Sequence, residues 1–194
     1  MNLLLASKSP RRRQLLSELG YPVEFISLDV DEHVPEGTPA ADTAEMLARR
    51  KAEACPPEVI GKETVLVAAD TVVVLDGKAL GKPADRTEAL AMLHALAGRC
   101  HTVYTGVCLR TAKCTLSFTE HTYVHFRPLN DAELAYYVDT FRPYDKAGAY
   151  GIQEWIGMVG ISHIEGCYYN VMGLPVASVY EHLQKLFPCL PEAR

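Results

Sequence analysis

Asp70 lies inside the most hydrophobic stretch of the chain, Val65 to Leu75, with Thr71 as its only polar companion there. A carboxylate in such a strand is heavily penalised unless it is paired, hydrogen-bonded or bound to a metal. Perturbed carboxylates concentrate at functional sites, although an aspartate at a strand end can also bond a loop. A hard cation such as Mg²⁺, or Mn²⁺ in its place, takes this kind of oxygen together with a second carboxylate and phosphate oxygens. Glu32, in the acidic run Asp29-Val30-Asp31-Glu32, is the candidate second ligand; alone, that run reads as a solvated loop.

Basic groups stand at three other places. In Ser7-Lys8-Ser9-Pro10-Arg11-Arg12-Arg13 a strand ends and a helix begins. Free backbone N–H groups at such a turn point at whatever lies above the strand's end, and arginines beside them favour a polyphosphate. The placement opposes the helix dipole, where acidic residues are the stabilising choice, yet the same residues also make a solvated basic turn. Lys82 in Leu80-Gly81-Lys82-Pro83 sits between two backbone-restricting residues, a way to hold an ammonium beside a phosphate and equally a way to build a loop. Lys51, in Arg49-Arg50-Lys51, reads as an exposed helix face. Gln153 ends the run Asp145-Lys146-Ala147-Gly148-Ala149-Tyr150-Gly151-Ile152-Gln153. Its amide offers one donor and one acceptor, which match N3–H and O4 of uracil or thymine; a structural loop explains it as well.

These residues need elements to position them. Asn2–Ala6 reads as a buried strand, and Ser9-Pro10 as an N-cap with proline in the first helical turn. Leu15, Leu16 and Leu19 form that helix's apolar stripe, which Gly20 ends. Val23–Ile26 is a second strand. Thr38-Pro39 repeats the cap-and-proline signal before a helix marked by Ala44, Leu47, Ala48 and Ala52. Val65–Leu75 is a central strand followed by an Asp76-Gly77 turn. Asp85 caps a helix through Leu90, Leu93 and Leu96, and Thr102–Leu109 with Thr115–Phe126 form a hairpin around Ala112-Lys113. Asn130 caps a helix carrying Leu134, Tyr137, Val138 and Phe141. A glycine-rich segment, Gly148 to Gly173, precedes a last amphipathic helix from Pro175 through Leu186. Strands alternating with helices, plus one hairpin, predict an α/β domain with a mixed sheet.

The bulk numbers narrow the function classes. A chain of 194 residues fits one compact domain, and 48% hydrophobic with 22% charged residues is an ordinary globular composition. A net charge of −5 argues against an extended nucleic-acid or membrane-surface interface. No apolar run reaches the roughly 18 residues of a membrane span, and Leu3–Ala6 is too short for a signal-peptide core. The six cysteines form no C-x-x-C pair and suit reduced thiols in a cytoplasm. His163 and Cys167 have a helix-like ligand spacing without a second pair, so zinc is not expected.

Five short motifs now stand in order: Leu5-Ala6-Ser7-Lys8-Ser9-Pro10-Arg11-Arg12, Ala69-Asp70-Thr71-Val72-Val73, Leu80-Gly81-Lys82-Pro83, Asp145 through Gln153, and Val171-Met172-Gly173-Leu174-Pro175. Together they resemble the Maf family of nucleoside triphosphate pyrophosphatases, over nearly the whole chain. The resemblance implies a single domain over residues 1–190, a mixed-sheet α/β fold akin to the inosine-triphosphate pyrophosphatases (Maf/Ham1), with two lobes and a cleft. It also implies Asp70 as the catalytic acid/base, and a triphosphate cradle of Ser9, Arg12, Arg13, Lys51 and Lys82. Glu32 with Asp70 is the implied site for Mg²⁺ or another divalent cation. The Gly-Ile-Gln form of the fourth motif resembles the dTTP/UTP branch, in which Arg12, Thr71 and Gln153 bear on base choice. Cys167 departs from the serine or aspartate expected after Gly166. The implied enzyme is cytoplasmic, binds a small nucleotide rather than a nucleic acid or membrane, and is compatible with a homodimer. Nucleotidyl transfer, and a non-catalytic nucleotide-binding regulator of cell division, are the alternatives.

Overall fold

The protein is described from a computed structural model covering residues 1–35 and 37–187; Cys189 and the end of the expected 1–190 domain lie outside them. Seven strands form one sheet: β1 Asn2–Ala6, β2 Val23–Ile26, β3 Thr64–Leu75, β4 Lys78–Leu80, β5 Cys100–Arg110, β6 Thr115–Phe126 and β7 Ile161–Glu165. Their order is β2-β1-β3-β5-β6-β7, and β4 pairs with the far end of β3. β1 runs parallel to β2 and β3, whereas β3-β5, β5-β6, β6-β7 and β3-β4 are antiparallel. This is the mixed sheet expected from the alternation of elements.

Residue alternation along β3 assigns the two faces. Val65, Val67, Ala69 and Val73 join one large core with Leu3, Leu5, Val107 and Leu109. That core is closed by α1 (Pro10–Glu18), α3 (Arg86–Leu96), α4 (Asp131–Phe141) and the last long helix, Val176–Leu186. Leu66 and Ala68 point the other way, with Leu4, Ala6 and Cys108, and pack under Ala48 and Ala52 of α2, Ala40–Glu53. Small residues on α2 let its axis approach the strands closely. The approach is closest at Gly106 on β5, where an added Cβ would sit 2.2 Å from the Ala44 carbonyl carbon. Arg110 at the end of β5 donates to the Ala52 and Cys55 carbonyls at 2.8 and 3.0 Å, capping the other end of α2.

Most helix starts follow their sequence signals. Ser9 caps α1, Asp85 caps α3, and Asn130 with Glu133 makes a reciprocal capping box on α4. Thr38 does not cap α2; its hydroxyl turns back to the Pro35 carbonyl, and Pro39 stands at the cap. The glycine-rich segment contains more structure than its composition suggests: α5 Trp155–Gly160, β7, and α6 Tyr168–Met172, before the final helix, α7. His163 lies on β7 and Cys167 precedes α6, so their four-residue spacing is not helical. Among the described residues, no helix is long and apolar enough to cross a membrane.

His101 is 2% exposed on β5, its Nε2 2.7 Å from the Tyr150 hydroxyl. Burial, with a smaller contribution from His125, lowers its pKa to about 4. The unfolded chain therefore binds a proton at this position that the folded chain refuses, and stability falls as pH drops from 6.5 towards about 4. The loss amounts to about 3 kcal/mol, and urea titrations at stepped pH should show it shrink in His101→Gln. Gly106→Ala should cost about 2–3 kcal/mol through overpacking against α2, read as a lower urea midpoint; an unchanged midpoint would contradict the seating of that helix.

Candidate active site

A break in strand pairing creates the site. β1 ends at Ala6, opposite Ala68, and β4 resumes pairing along the same edge of β3 only at Val73, opposite Leu80. Between those points Ala69 to Val72 have a partner strand on the β5 side alone. The chain leaving β1 turns into α1 beside this gap, and a cleft of about 740 Å³ opens over it, within the size range of small-molecule sites. Eight of the nine predicted site residues line it: Ser9, Glu32, Lys51, Asp70, Thr71, Lys82 and Gln153, together with Arg12.

Asp70 and Thr71 are neighbours that serve opposite sides of the sheet. Asp70 points to the α2 side, where Lys51 forms an ion pair with its Oδ1. The same ammonium lies 2.8 Å from Glu32 Oε1, so one cation already stands between the two carboxylates singled out in the sequence. Lys51 is thus no solvated helix residue: its side chain is 17% exposed and that of Asp70 is 15%. The hydrogen bond from Lys51 holds the Glu32 carboxyl below its ordinary pKa, with burial opposing and the charges of Lys51, Lys82 and Arg12 assisting. Two hard oxygen donors facing one cation suit Mg²⁺ in type. Among the described residues, no group of three or more His, Cys, Asp or Glu side chains could hold a metal, so side chains of these types would supply only part of a cation's coordination.

Thr71 points to the α1 side. Its hydroxyl accepts from Arg12 Nη2 at 2.8 Å and lies 2.9 Å from the Thr105 hydroxyl, which in turn donates to the Asn170 carbonyl. Arg12 Nε donates to the Gly173 carbonyl at 2.7 Å. Burial lowers the Arg12 pKa, with Asp70 acting against that shift. The guanidinium is therefore fixed by α6's end and by β3 before any ligand arrives, the arrangement expected of a rigid anion clamp.

The remaining basic residues of the first turn diverge, because successive helical residues point about 100° apart. Lys8 pairs with Asp29 at 2.5 Å, and Arg11 NH1 reaches Asp145 Oδ2 at 3.2 Å. Arg13 turns away: it donates to the Ser7 carbonyl and lies over the Phe25 ring, 5.1 Å from its centroid. The structure does not bring Arg13 into the cleft with the others. Ser9 Oγ accepts weakly from the Arg12 N–H at 3.5 Å while its own N–H donates to Ser7 Oγ. Lys82 is exposed at the opposite wall.

Gln153 closes the far end. Its Oε1 is buried without a hydrogen-bond partner, an acceptor that the protein itself leaves unused. The loop carrying it is anchored to the wall that bears Lys82, since Gly148 N–H donates to the Gly81 carbonyl at 3.0 Å. Gly148 and Ala149 adopt successive positive φ values of 69° and 59°, a conformation natural to the first and strained for the second. Sequence reasoning left Lys146 without a role, yet it is 7% exposed and paired with Asp145 and Glu154. Its signal was a lysine flanked by small residues next to an acid, a pattern too common to decide anything alone. Asn170, fully buried behind Thr71, gave no signal at all.

A family model described as Maf-like protein matches residues 2–186. A dTTP/UTP pyrophosphatase of Bacteroides thetaiotaomicron is 47% identical over 185 residues, covering 95% of each chain. Another so named, from Carboxydothermus hydrogenoformans, is 49% identical over 187 residues, covering 95% of this chain and 98% of its own. Among solved structures, the Ham1 protein of Staphylococcus aureus superimposes with a TM-score of 0.57 at 13% identity, covering 96% of this chain and 100% of that one, a likeness of fold. With a match spanning almost every described residue and relatives near half identical, the chain belongs to the Maf family.

Proposed function

We propose that this chain is a cytoplasmic pyrophosphatase that hydrolyses dTTP and UTP to the nucleoside monophosphate and pyrophosphate. The observation that carries the reading is Asp70: a carboxylate in the stretch of a central strand that has a partner strand on one edge only, facing a cleft that also holds Arg12, Lys51 and Lys82. The activity printed for the relatives of Bacteroides and Carboxydothermus supports the same substrate class.

The chemistry follows from the placement. The α1 N-terminus with Ser9 and the clamped Arg12 offers N–H donors to phosphate oxygens, and Lys82 approaches from the facing wall. Water adds to the α-phosphorus, the bridging α–β P–O bond breaks, and the charge on departing pyrophosphate is met by these cations. Asp70 orients the water and accepts its proton, while Lys51 pairs with the carboxylate until phosphate oxygens compete for the ammonium. Glu32 and Asp70 would hold a Mg²⁺ or Mn²⁺ ion, which would neutralise phosphate charge. Gln153 Oε1 accepts from the base N3–H, and its amide N–H donates to O4.

A panel of triphosphates incubated with Mg²⁺, followed by separation of monophosphate, diphosphate, phosphate and pyrophosphate, tests the reaction. Monophosphate and pyrophosphate from dTTP and UTP are expected. Intact nucleotide after long incubation would favour the regulator, and label transferred to an acceptor would favour nucleotidyl transfer. Asp70→Asn should lower kcat by about 10²–10⁴-fold with triphosphate binding retained in calorimetry, and wild-type turnover in that variant would remove Asp70 from the mechanism. Chelation of divalent cations should abolish turnover and added Mg²⁺ or Mn²⁺ restore it; full activity in chelator would discard the metal.

A further inference from the structure

Reading a pyrimidine with a glutamine raises a problem of direction. A carboxamide presents an oxygen on one side and an NH2 on the other, and turning it over exchanges them at almost no cost in shape. Thymine and uracil offer N3–H and a carbonyl, whereas cytosine offers an N3 acceptor and an N4 amino group. A Gln153 amide facing one way suits the first pair, and the turned amide suits cytosine. Something beside the glutamine must settle its direction.

The structure holds a partly exposed carboxylate, that of Glu154, next to it. A Cβ built on Gly151 would lie 2.9 Å from Gln153 Nε2 and 3.1 Å from Glu154 Oε2, so the amide nitrogen and the carboxylate lie on the same side of the loop. A carboxylate there favours the NH2 end of the amide and repels the oxygen end, leaving Oε1 on the other side, where it is buried and unpartnered. The carboxylate cannot turn away. Its Oε1 lies 3.1 Å from Lys146 Nζ, and its Oε2 accepts from the Tyr137 hydroxyl. Both partners are themselves held. Lys146 also pairs with Asp145 Oδ1 at 2.7 Å, and the Tyr137 oxygen accepts the Gly151 N–H at 3.1 Å. Burial and the Glu154 carboxylate raise the Tyr137 pKa, so that hydroxyl stays a donor.

We propose that Glu154, clamped between Lys146 and Tyr137, is the positioning residue that sets which way round the Gln153 amide faces the cleft, and so selects thymine and uracil over cytosine. The proposal rests on the reading above that Gln153 meets the base. Glu154 itself touches no substrate atom; it acts through the amide. Gly151 belongs to the same device, because the absent side chain is what allows the amide and the carboxylate to lie so close.

Steady-state kcat and KM for dTTP, UTP and dCTP in wild type and Glu154→Gln give the test. A neutral amide removes the charge that sorts the two ends of Gln153, so the ratio of kcat/KM for dTTP to that for dCTP should narrow about tenfold, the size of one misplaced hydrogen bond. The change should appear in KM, with kcat for dTTP altered less than about twofold. Tyr137→Phe, which removes only the hydroxyl, should narrow the ratio in the same direction and serves if Glu154→Gln does not fold. A uniform loss on all three nucleotides with the ratio intact would overturn the proposal, since that is what a merely structural residue would give. Wild type that turns over none of the three would remove the functional reading and this inference with it, a result plainly different from an unchanged ratio.

Discussion

The structure turns on the cost of keeping a carboxylate within a strand made of valine, leucine and alanine. Asp70 is tolerated because Lys51 of α2 meets it directly, and Lys51 can reach it only because α2 lies almost on the backbone of β5. That approach depends in turn on Ala44, Ala48 and Ala52 along the helix and on Gly106 in the strand opposite Asp70. Small side chains in one layer thus determine the charge balance in the next. One ammonium thus serves two carboxylates, with Glu32 as the second partner.

Sheet topology supplies the space. A β-strand whose neighbours both ran its full length would have no room for a ligand over its middle. β1 is five residues long and β4 three, and both pair with the twelve-residue β3 along one edge. The stretch between them is left for the cleft. Ligand sites in α/β sheets often open where strand connections diverge, and here the divergence lies between the parallel β1 connection and the antiparallel β4 hairpin.

Much of this could be read before any coordinates. The caps at Ser9, Asp85 and Asn130 act over three residues, a range at which sequence and geometry are nearly the same information. β3 announced itself by β-branched residues, and Asp70 by its company. The elements that went unnoticed are short: β4, β7, α5 and α6 have three to six residues, too few for a period to show, and they exist because neighbouring strands and helices hold them. Within the site, legibility followed distance along the chain. Arg12 and Arg13 were indistinguishable as letters, and only their different directions from α1 separate the residue clamped between Thr71 and Gly173 from the one resting on Phe25. Lys146 and Asn170 were invisible because burial, rather than residue type, makes them important.

The alternation of β3 separates two neighbouring sets of contacts. Consecutive side chains on a strand emerge on opposite sides, so Asp70 is embedded among α2 contacts and Thr71 among those of α1 and α6. A single step along the backbone therefore divides the half of the cleft that holds the Lys51 ion pairs from the half that braces Arg12. Substitution at Thr71 therefore loosens the brace on Arg12, while the contact of Asp70 with Lys51 on the other face keeps its own surroundings.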